Sequence, residues 1–151
     1  MLAPEGIFYE DIQAGECIRL GPYQVTRDEI IEFARAWDPL PIHVDEQAAA
    51  AGPFGGLTAS GLHILGIRQR LVLRLPIRAI ATFGFDEVRF PAPVRPGDAL
   101  TLHLSWIDKR LSASKPDRGI VGIGFTLFNQ HAVEVMRHRD TILIWRRPTG
   151  A

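Results

Sequence analysis

Ala99-Leu100-Thr101-Leu102-His103-Leu104-Ser105-Trp106-Ile107 is the stretch that decides the fold class. Leu100, Leu102, Leu104 and Trp106 recur with period two, which places all four on one face of a strand. Further β-rich runs occupy Ile80–Phe85, Ile120–Phe128 and Val133–Trp145. Turn residues separate them at Pro93 to Asp98, at Asp117-Arg118-Gly119 and at Asn129-Gln130. The chain before these strands reads differently. Thr26-Arg27-Asp28-Glu29 is a capping-box pattern, and Ile30, Ile31, Phe33, Ala34 and Trp37 follow at helical spacing. Pro39 ends that helix near Asp38, because proline disfavours helical geometry in the residue before it. Asp45 caps a short helix that Gly52-Pro53 stops. Ser60 to Leu75 is the longest helical candidate, apolar nearly all round in its first half, as expected of a helix buried in a larger fold. Residues 1–25 read as loop and one short strand, with turns at Ala14-Gly15 and Gly21-Pro22. Helices first and strands after predict an α+β domain with an antiparallel sheet rather than a βαβ fold.

The bulk composition narrows the function. The chain has 151 residues, and 17 Lys+Arg balance 17 Asp+Glu. This length suits one domain, residues 1–151, with a core that needs no staples. Zero net charge disfavours a general binder of nucleic acid or anionic membrane. The apolar content, 46%, is too high for a disordered chain. Cys17 is the single cysteine, which excludes an internal disulfide. The most apolar run, Leu57 to Leu75, contains Arg68, Arg70 and Arg74, so no membrane span is expected. Met1 to Asp11 has no basic region of the signal-peptide kind, which makes the cytoplasm the expected compartment.

Chemistry concentrates in Asp38-Pro39-Leu40-Pro41-Ile42-His43. A carboxylate and an imidazole sit close together in a proline-stiffened stretch that reads as extended. Converging, the two can hold one water and exchange protons with it. On residue types alone the alternative stays open: Asp38 ends a helix and His43 packs. Elsewhere, His43 and Asp45 form one His-x-Asp pair, too little for a metal site, and Asp45 serves better as a helix cap. His63 lies near Ser60 with no acid obviously placed beside it, and reads as a packing or pocket-wall residue. His103, His131 and His138 read as surface groups.

The segment Trp37-Asp38-Pro39-Leu40-Pro41-Ile42-His43, with Ala49 six residues on, resembles the signature of the MaoC-like dehydratases, the (R)-specific enoyl-CoA hydratases of the hot-dog superfamily. Phe54-Gly55-Gly56-Leu57-Thr58-Ala59-Ser60-Gly61 resembles the family's lead into its central helix, and Phe90 to Asp98 the turn before its later strands. Leu40 and Trp37 stand where the pattern has Asn and Gly, and Ser60 where many members have His. The resemblance implies a hot-dog fold, a long central helix wrapped by an antiparallel sheet. It implies reversible addition of water to a trans-2-enoyl-CoA, with Asp38 and His43 as acid and base and the Gly61 amide at the thioester oxygen. Trp37, Leu40, Phe54 and Ser60 become candidate substrate-binding residues. Coenzyme A would enter as part of the substrate, with no separate cofactor and no metal. Its phosphates suggest Arg110 and Arg118, in the polar stretch Lys109 to Gly119, as contacts, since the guanidinium fork suits phosphate. A solvated loop is the plainer reading of that stretch. An uncovered sheet edge suggests a homodimer or a dimer-based assembly. A hot-dog thioesterase and a non-catalytic acyl-thioester binder remain alternatives, the latter motivated by Trp37 and Leu40.

Overall fold

The structure, a computed structural model, describes residues 6–150. Met1 to Glu5, part of the leading segment read above for targeting signals, and Ala151 lie outside the described residues. In chain order the elements are β1 (Cys17–Gln24), α1 (Arg27–Trp37), α2 (Pro41–Val44), α3 (Glu46–Ala51), α4 (Gly61–Val72), β2 (Ala79–Arg89), β3 (Ala99–Leu111), β4 (Arg118–Phe128) and β5 (Glu134–Trp145). The strands form one antiparallel sheet in the order β1-β3-β4-β5-β2. This is the hot-dog arrangement, α+β, with α4 packed against the sheet.

The period-two stripe of β3 explains that packing. Leu100, Leu102, Leu104 and Trp106 are all buried, and Val121, Ile123, Phe125 and Leu127 of β4 continue the same apolar face. Ile64, Ile67 and Leu71 of α4 join this cluster from the helix side. Full burial of such a side chain contributes ~1.5–3 kcal/mol, so each residue of the helix–sheet seam adds appreciably to stability. A smaller cluster, Ile31, Ala49 and Leu57, ties α1, α3 and the chain before α4 together. That satellite holds α1 and α3 against the chain that leads into α4.

Local readings fare differently. Thr26 caps α1 by accepting from the Glu29 amide at 3.2 Å. The Glu29 carboxylate does not complete the box; it accepts from the hydroxyls of Tyr23 and Thr26. Asp45 caps α3 through the Ala48 amide, 3.0 Å. Gly21-Pro22, expected as a turn, is an irregularity inside β1, where the register shifts between Leu20 and Tyr23. A Cβ on Gly21 would lie 2.7 Å from the Leu100 carbonyl oxygen, and its φ is +136°, so backbone proximity and conformation both call for glycine. The expected extended stretch to His43 stops at Leu40. Pro41 is the first residue of α2, where its fixed φ suits a helix start and its missing N–H costs nothing. Arg118 and Gly119, expected in a turn, are the first residues of β4.

Candidate active site

The site forms where the C-terminus of α1, all of α2 and the N-terminus of α4 meet. Asp38 is the residue after α1, and its amide still bonds to the Ala34 carbonyl at 2.8 Å. The Pro39–Leu40 link then turns the chain into α2, which carries His43 on its buried side. The strand-like run before α4 locks this turn: the Thr58 amide donates to the Ile42 carbonyl at 3.0 Å, and the Ala59 amide to that of Val94 at 2.9 Å. Asp38 Oδ2 and His43 Nε2 end 3.5 Å apart.

Two contacts aim the pair. His43 Nδ1 lies 2.6 Å from the Thr58 carbonyl oxygen. A carbonyl only accepts, so Nδ1 carries the proton and, in the neutral ring, Nε2 presents a lone pair toward Asp38. Ser60 Oγ donates to Asp38 Oδ2 at 2.7 Å and accepts from the Leu62 amide at 3.3 Å. Ser60 is fully buried. The residue expected to bind substrate therefore caps α4 and holds the carboxylate in place.

Gly61 opens α4, and first-turn amides of a helix lack intrahelical acceptors and sit at its positive end. A Cβ here would lie 2.8 Å and 2.9 Å from two ring carbons at the far end of Phe90, an exposed side chain, so a methyl fits only if that ring moves. Trp37 is 72% exposed and Leu40 52%, both at the surface beside Asp38. Phe54 is also exposed, and its carbonyl accepts from Arg95 Nη2 at 2.6 Å.

The remaining expected residues are elsewhere in the chain. Leu111 and Arg118 flank the β3–β4 loop at one end of the sheet, whereas Ala99, at the other end of β3, adjoins the turn that bonds to Ala59. Arg110 and Arg118 are thus not brought to the Asp38–His43 pair of their own chain. Arg118 pairs with Asp117 at 2.7 Å and lies over the Trp145 ring.

His63 packs as expected, whereas His138 is not the surface group expected. His63 does have an acid: Glu29 Oε1 is 3.2 Å from its Nε2, and its ring stacks on Phe33 at 4.8 Å. Burial pushes its pKa down, with Glu29 opposing. The two residues are 34 positions apart, and only the packing of α1 on α4 joins them. His138, expected at the surface, is buried beside Phe85 and Phe125. The Thr58 carbonyl, which orients His43, is a backbone group and leaves no sequence signal.

The profile described as "MaoC like domain" matches residues 12–126. The chain belongs to the MaoC-like domain family. This MaoC-like chain is similar to the crystal structure of the MaoC-like dehydratase from Rhodospirillum rubrum, with 35% identity and a TM-score of 0.88, covering 95% of this chain and 100% of that one. It is 29% identical over 140 residues to the uncharacterized protein YdeM of Bacillus subtilis, covering 91% of this chain and 98% of that protein. It is 40% identical over 78 residues to 3-hydroxyacyl-thioester dehydratase Z of Mycobacterium tuberculosis, covering 48% of this chain and 52% of that protein.

Proposed function

We propose that the chain is a hydratase/dehydratase acting on a trans-2-enoyl-CoA thioester, with Asp38 and His43 working on one water. The observation that carries this reading is the Asp38 Oδ2–His43 Nε2 approach of 3.5 Å, with Nδ1 already committed to Thr58. An ionised Asp38 and the Nε2 lone pair both accept, so one water can donate a hydrogen to each. In hydration the water oxygen bonds to the β-carbon as one of the pair takes its proton. A proton from the pair reaches the α-carbon, and the displaced π electrons pass through the thioester oxygen. The Gly61 amide stabilises the charge gathered there. Dehydration runs the same steps backwards. Trp37, Leu40 and Phe54 form the exposed rim that the thioester crosses.

The dimer expected from the sequence fits the same reading. Among the described residues β2 pairs only with β5 and leaves an edge of eleven residues, with Phe83 and Phe85 exposed along it. Edges of this kind are commonly covered. In such an assembly a phosphate role for Arg110, on β3, and Arg118, on β4, falls to those strand ends of a second copy.

The test is incubation with trans-2-enoyl-CoA esters, following loss of enoyl absorbance and the configuration of the product. An (R)-3-hydroxyacyl product supports the proposal. Release of free thiol points instead to a thioesterase, and binding without turnover across chain lengths to an acyl-thioester binder.

A further inference from the structure

The long helix carries a cation that the hydration chemistry does not use. Arg68 stands two turns beyond Gly61 on α4, about 10 Å along the axis at 1.5 Å per residue. Its exposure is only 3%. Nη1 donates to Gln69 Oε1 at 2.8 Å, and Cζ lies 4.9 Å and 4.7 Å from the ring centroids of Phe85 and Phe125. Nε is buried and has no acceptor. No carboxylate among the described residues forms an ion pair with it; Asp140 accepts from the Thr82 hydroxyl instead. Burial accordingly pulls the guanidinium below its ordinary pKa, with Asp140 opposing only in part. The aromatic faces offset some of this cost. A buried guanidinium still calls for an acceptor in the plane of its fork.

Arg68 borders a cavity of about 510 Å³ between α4 and the sheet. Leu65, Gly66, Val72, Ile77, Phe125 and Ile142 make its walls largely apolar, with Gln69, Thr82 and Asp140 as further polar groups. The size suits the body of a small ligand. Both long walls lead back to the candidate site. α4 begins at Gly61, and β2 carries Phe85 over Arg68 and ends just before Phe90, whose ring packs on Gly61. In the orientation proposed below, a chain whose thioester oxygen lies at the Gly61 amide would follow this seam toward the cavity, whose lining on α4 begins one turn on at Leu65.

We propose that the cavity receives the far end of the acyl chain and that Arg68 pairs there with a carboxylate, so that the preferred substrates are thioesters of ω-carboxyacyl chains. The orientation of the chain rests on the hydratase reading above. An unsubstituted alkyl chain would satisfy the apolar walls but leave Arg68 Nε without an acceptor. A carboxylate accepts two parallel N–H bonds from one edge of the fork at once.

The experiment compares binding of saturated acyl-CoA and ω-carboxyacyl-CoA esters of equal length by calorimetry. The kcat/KM of the matching trans-2-enoyl esters is measured alongside, for the wild type, Arg68→Met and Arg68→Lys. The wild type binds the ω-carboxy ester at least tenfold more tightly. Arg68→Met reverses the preference, and Arg68→Lys, which keeps the charge but loses the fork, falls between. A wild type that favours the unsubstituted chain overturns the proposal, whether or not either variant folds. So does an Arg68→Met protein that weakens both esters equally. Saturated esters cannot be hydrated, so the two readings fail separately. A binding preference without turnover of any enoyl ester defeats the hydratase reading alone; turnover without preference defeats the carboxylate pocket alone.

Discussion

The hydroxyl of Ser60 donates to Asp38 Oδ2 over 2.7 Å, the same oxygen that faces His43 Nε2 at 3.5 Å. One side chain thereby joins the capping of α4 to the orientation of the carboxylate. Ser60→Ala removes both functions. Loss of a cap costs about 1 kcal/mol, seen as a lower Tm. Turnover falls further than that loss of folded protein explains, because Asp38 is free to rotate. A variant with lowered Tm and full kcat at a temperature where it is folded shows that Ser60 does not position the acid.

Asp38→Asn and His43→Gln each lower hydration by roughly 10²–10⁴-fold, the range for a positioned proton-transfer group. Circular dichroism and thermal melts stay close to wild type for Asp38→Asn, since Asp38 is partly exposed, with 28% of its side chain open to solvent. Full rate in both variants would move the chemistry elsewhere.

Gly61→Ala forces Phe90 to shift, since the new Cβ would stand 2.8 Å from its ring. Because Phe90 is itself exposed, the cost stays at or below the low end of the about 1–3 kcal/mol of core overpacking. Gly61→Ala combined with Phe90→Ala recovers stability, and urea unfolding of the two proteins checks this. Hydration stays low in the double variant, because the added methyl still obstructs the thioester oxygen at the amide. Recovery of rate along with stability would reduce Gly61 to a packing residue.

Acid weakens the fold before carboxylates titrate. Burial lowers the pKa of His138 below its ordinary 6.5, and the charge of Arg68 lowers it further. The unfolded chain then binds more protons than the folded one, so stability is full above pH 6.5 and falls as pH drops below it. His63 behaves in the same sense, since burial outweighs Glu29. Denaturant unfolding at pH 7.5 and 5.5 measures the loss, and His138→Leu makes it smaller. An unchanged slope in that variant would show that His138 does not drive it.

Some of this molecule was legible in residue order alone. Alternation in Leu100–Trp106 and the length of the Ser60–Leu75 run reveal a sheet with one helix on it, because burial of an apolar stripe has a period that any reader of the chain can count. Thr26 and Asp45 announce helix starts because a cap needs only a neighbour three residues on. Asp38 and His43 are close in sequence, but the resemblance of their segment to the MaoC-like signature is what marks them as a site. Tertiary structure decided everything that depends on groups far apart in sequence. It turned Ser60 toward Asp38, paired His63 with Glu29, and set a backbone oxygen of Thr58 against His43. It also carried Arg110 and Arg118 to the far end of the sheet, and buried Arg68 and His138, polar residues that residue type alone assigns to solvent. Local rules describe one element at a time; which atoms face one another across elements follows only when helix and sheet pack.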